Sequence, residues 1–194
     1  MTGSVAALRS GLDARHLAQS VLADLPERWQ HTVGVAFRAV ELADSLDESA
    51  DADILVAAAW LHDIGYAPAL RETGFHPLDG ARYLNRHGWP ARLCGLVAHH
   101  SEAGCVAAVR GLADQLAAFS RENSPVSDAL TFADQTVGPY GRRMNVDERL
   151  ADMLRRHGPG SPNAEVHQQR APLIRAAVDR VHRRSARRHQ PAAA

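Results

Sequence analysis

The chain has 194 residues, with 22 basic side chains against 22 acidic ones and a formal net charge of zero. Hydrophobic residues make up 45% and charged residues 23%, which excludes a disordered or collagen-like chain. The balanced charge leaves no electrostatic footprint for nucleic acid, and the length suits one domain. All 22 basic residues are Arg, a compositional bias of bacterial type that also excludes a catalytic lysine. Cys94 and Cys105 are too few for a disulfide framework or a Cys-rich zinc site. No apolar run approaches the ~20 residues of a membrane span. The opening MTGSVAALRSGLDARH has no long apolar segment or clear cleavage site, so the expectation is a soluble cytoplasmic protein.

Alanine is abundant and aromatic residues form only 5%, which favours helix. Residues 30–47 predict an amphipathic helix, with Val33, Phe37, Val40 and Leu46 on one broad face beside Ala36, Ala39 and Ala43; Pro26 lies just upstream. Residues 51–63 are apolar on most faces from Ile54 to Leu61, as in a central buried helix, which stops near Gly65 and Pro68. Two helices that open at prolines follow, over 77–87 and 90–100. A softer helix over 105–119 contains Gly111. Residues 125–137 form another, ending at the turn GPYG of 138–141. Asn145 caps a helix over 145–156, with acidic residues in its first turn. Residues 161–189 predict one long helix, interrupted or kinked at Pro172, and the Arg-rich then Ala-rich end reads as a frayed or solvated tail. No segment alternates with the period of a strand.

Eleven histidines are many for this length, and their placement matters more than their number. His31 starts the first amphipathic helix, and His62-Asp63 ends the central apolar one. His76 precedes a proline-started helix, His99-His100 closes the next, and Asp134 sits among Phe132, Ala133 and Val137. An imidazole and a carboxylate where a core run ends each need a partner. A metal ion and a helix-capping network both answer for His62 and Asp63; a metal ion and an Arg salt bridge both answer for Asp134. Together the set offers only nitrogen and carboxylate donors, which suit one or two divalent ions among Mn, Fe, Co, Ni and Zn. His87, His157, His167, His182 and His189 lie near helix ends or among Arg, where capping or surface roles are expected, and His16 carries no signal. Trp29 and Trp60 are expected to pack the core or line a pocket.

The ordered set resembles the HD superfamily of metal-dependent phosphohydrolases. LHDIGY at 61–66 resembles the family signature in its His-Asp-Ile-Gly branch. RWQHTVGVAFRAVELA at 28–43 and LTFADQTVGPYG at 130–141 resemble the segments around its first histidine and last aspartate. FHPLDGARYL at 75–84 and LVAHHS at 96–101 resemble the added histidine segments of dinuclear branches. The resemblance implies an all-α fold, an HD-domain-like helical bundle around a metal site. It implies a domain core over 25–145, a helical extension over 1–24, and helices over 146–194 that complete the same domain and end in a basic tail. It implies His31, His62, Asp63 and Asp134 as ligands of one metal, and His76 with one or both of His99 and His100 at a second, His100 slightly favoured and Asp63 bridging. The implied activity is hydrolysis of a phosphate ester of a nucleotide or other small molecule by metal-activated water, with Asp63, His62 and Arg28 catalytic and Arg28, Arg142 and Arg143 candidates for phosphate. Tyr66 stands where many relatives carry Lys, and no Gly-Tyr-Pro follows His100, which disfavours cyclic di-guanylate. Two other functions stay open: a non-catalytic HD module that senses a metal or nucleotide, and a di-iron HD oxygenase.

Overall fold

The computed structural model describes residues 11–188 except Asp47. The first ten residues and the tail from His189 onward, where the frayed end was expected, lie outside the described residues. The described residues form helices α1 (Gly11–Leu22), α2 (Pro26–Ala43), α3 (Ser49–Leu61), α4 (His76–Arg86), α5 (Ala91–His99), α6 (Ala103–Val109), α7 (Ala113–Leu116), α8 (Pro125–Gln135), α9 (Val146–His157), α10 (Pro162–Glu165) and α11 (His167–Arg188). Short 3-10 turns lie at Ile64–Tyr66, Pro68–Leu70, His100–Glu102 and Pro139–Gly141. Among the described residues there is no strand, only an isolated bridge between Val137 and Arg143. The fold is all-α, as the periodicity requires. No described helix is long and apolar enough to cross a membrane.

The central helix is α3. Leu55, Ala57, Ala58, Ala59 and Leu61 are buried on it, and α1, α2, α5 and α8 pack around it. Helix α2 starts at Pro26, four residues before the predicted 30, because proline suits a position whose N–H needs no helical partner. Its inward face differs from the predicted one. His31, Thr32, Val35, Ala36, Ala39 and Leu42 are buried, while Phe37 and Val40 are 64% and 53% exposed. Ala36 and Ala39 let α2 approach the alanine run of α3 closely, and bulky side chains are turned out of that contact. Bulk alone pointed to the wrong face.

Two further boundaries differ from expectation. The 105–119 helix divides into α6 and α7, because Gly111 takes a left-handed φ of 66°. The 161–189 helix divides at Val166, not at Pro172. Pro172 lies early inside continuous α11, where its ring removes one backbone hydrogen bond. Ser124 caps α8 through a reciprocal box with Ser127, and Asn145 caps α9 with Glu148. Buried Asp128 on α8 accepts from Arg180 and Arg184, so α11 is tied to the core by part of the Arg-rich segment. One core runs from Ala14 to Val181, and a small cluster of Leu150, Met153, Ala171 and Ile174 joins α9 to α11.

Candidate metal centre

Local rules bring the site residues to one point. Helix α3 ends at Leu61, His62 serves as its C-cap, and the chain turns tightly through Ile64–Tyr66. Gly65 permits this turn to lie against α4: a Cβ there would stand 2.1 Å from the carbonyl oxygen of His76. Buried Asp79 accepts from Thr73 N and Gly74 N at 2.9 Å and from Thr73 Oγ1 at 2.7 Å, fixing the loop that delivers His76. After α5, Ser101 and Glu102 both adopt left-handed φ, 50° and 57°. That strained reversal presents His100 and Ser101 together to the centre.

Four histidines converge on two aspartates. His31 Nε2 lies 3.1 Å from Asp134 Oδ1 and 3.6 Å from Asp63 Oδ2. His62 Nε2 lies 3.3 Å from Asp63 Oδ2 and 3.9 Å from Asp134 Oδ1. His76 Nε2 lies 3.2 Å from Asp63 Oδ1, and His100 Nε2 lies 3.9 Å from the same oxygen. Donor atoms of His31, His62 and Asp63 lie within 4.8 Å of one another, as do those of Asp63, His76 and His100. Asp63 belongs to both sets. The outer oxygen of Asp134 accepts from Ser101 Oγ at 2.5 Å and Gln135 Nε2 at 2.7 Å, leaving Oδ1 turned toward the histidines.

The hydrogen bonds behind the rings show what this arrangement fits. The Nδ1 atoms of His31, His62 and His100 contact the carbonyl oxygens of Gly138, Ala59 and Val97 at 3.2, 2.8 and 2.7 Å. A carbonyl only accepts, so in the neutral rings of His62 and His100 each Nδ1 carries the proton and a lone pair at Nε2 turns toward the carboxylates, whereas His31 meets an acceptor at both nitrogens, Gly138 O at 3.2 Å and Asp134 Oδ1 at 3.1 Å. His62 Nε2 is buried with no hydrogen-bond partner. Lone pairs facing anionic oxygens repel unless a cation lies between them. Backbone acceptors behind metal-binding imidazoles fix tautomers in this way. The donor set fits one or two divalent transition ions.

Protonation follows the same balance. Burial pushes the His31 and His76 pKa values down despite their aspartate neighbours. Burial, with His62 and His76 nearby, pushes His100 down to about 3. His62 is shifted upward: burial opposes the charge, but Asp63 and Asp134 outweigh it. A proton on His62 thus answers the demand for positive charge that a metal ion would meet. Burial disfavours the charged forms of Asp63 and Asp134, yet both are held well below the usual carboxylate range, Asp63 by His62 and Arg28 and Asp134 by His31 and His62.

The family model for the HD domain matches residues 28–184, the larger part of the chain. The chain belongs to the HD domain family. Searches of curated proteins and of solved structures returned no significant match. Of the HD motif positions, His31, His62, Asp63 and Asp134 lie together, with His76 and His100 beside them. His99 does not join them. Its Nε2 donates to the Phe119 carbonyl at 2.8 Å, because adjacent helical residues point about 100° apart and the core takes only one of the pair.

The arginines, too, sit differently from expectation. Arg28 donates to Asp63 Oδ2 at 2.7 Å and stands 4.0 Å over the Tyr66 ring, which stacks at 4.0 Å on His76. Tyr66 is therefore a plate between cation and imidazole, its hydroxyl pushed up to about 12 by burial. Arg142 and Arg143 are exposed and line none of the cleft; Arg143 pairs with Glu41 on α2. The cleft of about 440 Å³ over the HD centre is lined instead by Arg28, Tyr66, His76, His100, Arg149 and Arg170, among others. Neither Arg149 nor Arg170 stands out in the sequence among 22 arginines. Ser101 and Gln135 had one available signal, adjacency to His100 and Asp134.

Proposed function

We propose that this HD domain is a metal-dependent phosphohydrolase acting on a phosphate ester of a nucleotide or another small molecule. One observation carries the reading: the Nε2 atoms of His31, His62, His76 and His100 converge on Asp63 and Asp134 at the floor of an arginine-walled cleft. His31, His62, Asp63 and Asp134 would hold one ion, and Asp63, His76 and His100 a second, with Asp63 shared. Such ions supply a Lewis acid for phosphoryl oxygens and a water acidic enough to attack near neutral pH.

The remaining roles belong to the chain itself. His31, His76 and His100 stay neutral near pH 7 because burial disfavours their charged forms, so they remain donors. Ser101 and Gln135 occupy the outer oxygen of Asp134 and keep its inner oxygen oriented. Arg28 stays charged beside Asp63 and stabilises negative charge that grows on a phosphoryl group in the transition state. Tyr66 holds Arg28 and His76 in one stack, a positioning role in place of a phosphate-binding lysine.

The test is metal analysis of chelator-free protein, then a phosphate-release screen over nucleotides and phosphomonoesters with Mn²⁺, Fe²⁺, Co²⁺ and Ni²⁺. Turnover is expected, lost with bound metal in His62→Ala and Asp63→Ala while the helical circular dichroism persists. Full metal content and activity in both variants would refute the assignment. O₂ uptake on an organic substrate without phosphate release would favour an oxygenase, and tight nucleotide binding without turnover a sensor.

A further inference from the structure

The cleft carries more positive charge than the described residues answer. Four arginines line the cleft (Arg28, Arg110, Arg149 and Arg170) against two carboxylates, Asp63 and Asp134. Arg28 is matched by Asp63. Arg149, on α9, has a side chain only 14% exposed, and its Nε is buried without a hydrogen-bond partner. Its one ion pair among the described residues is a distant 3.9 Å approach to Asp134 Oδ1, an oxygen already faced by His31.

Arg170, on α11, is held by neutral groups. Its Nε and Nη2 donate to the Ser101 carbonyl at 2.8 and 2.6 Å, and its Nη1 donates to Asn163 Oδ1 at 3.1 Å. No carboxylate of the described residues lies within 4.0 Å of it, and a guanidinium has five N–H groups, so two remain. Clamping the strained Ser101 carbonyl requires a donor but not a full charge. Largely enclosed guanidinium groups with spare N–H donors and no close anion are costly, and a bound anion would relieve both deficits.

One phosphoryl group does not use all of these donors. It offers three strong acceptor oxygens, which Arg28 and the ions that the two His–Asp sets would hold suffice to engage. We propose that Arg149 and Arg170, with Asn163 at their edge, form a second anion subsite, so that the substrate carries a phosphate or carboxylate beyond the scissile phosphate. This rests on the phosphohydrolase reading for the first group. Simple phosphomonoesters without a second anionic group would be poor ligands.

Isothermal titration of the full-length chain, as purified with its metal, tests the subsite with probes that are not hydrolysed: methylphosphonate, methylenebisphosphonate and 1,3-propylenebisphosphonate. At least one bisphosphonate is expected to bind about tenfold more tightly than methylphosphonate, equivalent to about 1.4 kcal/mol. Arg170→Gln is expected to bring that ratio below threefold. Because this change also frees the Ser101 carbonyl, Asn163→Asp is the deciding variant. It is isosteric, keeps the clamp, and sets a carboxylate beside Arg170 that competes with the incoming anion. It should lower the ratio similarly with unchanged circular dichroism and a thermal midpoint no lower than that of the wild type, since the new carboxylate also answers the Arg170 charge. Equal affinity for all three probes, or a ratio untouched by Asn163→Asp, overturns the subsite. Turnover with that result leaves the hydrolase reading intact, whereas an intact ratio without phosphate release in any metal removes the hydrolase reading and keeps the subsite.

Discussion

Gly65→Ala tests the geometry that joins the two His–Asp sets. Gly65 has no left-handed φ, so alanine carries no backbone strain there; the obstacle is space. The new Cβ would stand 2.1 Å from His76 O and 2.7 Å from Gly80 N, both backbone atoms at the start of α4. Relaxed contacts of this kind do not fall below 3.0 Å, so α4 must retreat by roughly 0.9 Å. Overpacking of this type costs about 1–3 kcal/mol. For a chain of this length, that lowers the thermal midpoint by roughly 2–12 °C. The same retreat lengthens the 3.2 Å approach of His76 to Asp63, so metal at the Asp63–His76–His100 set should fall while the His31–His62–Asp63 set keeps its ligands. Metal stoichiometry by mass spectrometry and melting by circular dichroism read the two effects. A variant that melts with the wild type and holds the same metal per chain would refute the reasoning.

Two further outcomes follow from the placement of the histidines. His100→Gln should lose metal from the second set and His99→Gln should retain it, since the His99 ring is engaged by the Phe119 carbonyl; metal analysis of both variants checks this, and equal loss would mean that His99 is a ligand. Metal-free protein should lose stability as pH falls below about 6.5, the ordinary histidine value. Folded His31, His76 and His100 have depressed pKa values, so between their folded values and 6.5 the unfolded chain binds more protons, and acid favours unfolding. Burial depresses His99 and His157 in the same way, so His62, with a raised value, acts in the opposite sense as one group against five. Urea denaturation from pH 7.5 to 5 measures the net effect; a midpoint that stays flat or rises toward pH 5 would contradict it.

Sequence by itself determined the helical class, the cap at Asn145 and the core character of α3, because these depend on periodicity and on local backbone partners. It also marked His62, Asp63 and Asp134, since ionisable groups embedded in apolar runs need partners wherever the chain folds, while the ordered resemblance to the HD superfamily added His31, His76, His99 and His100. Only the tertiary structure decided between His99 and His100, turned Phe37 and Val40 outward, and drew Arg149 and Arg170 to the cleft in place of Arg142 and Arg143. Each of those outcomes depends on which neighbour a side chain meets across the bundle. An arginine on α11 reaches the Ser101 carbonyl 69 positions earlier because of how helices pack, and no local pattern in the chain encodes that distance.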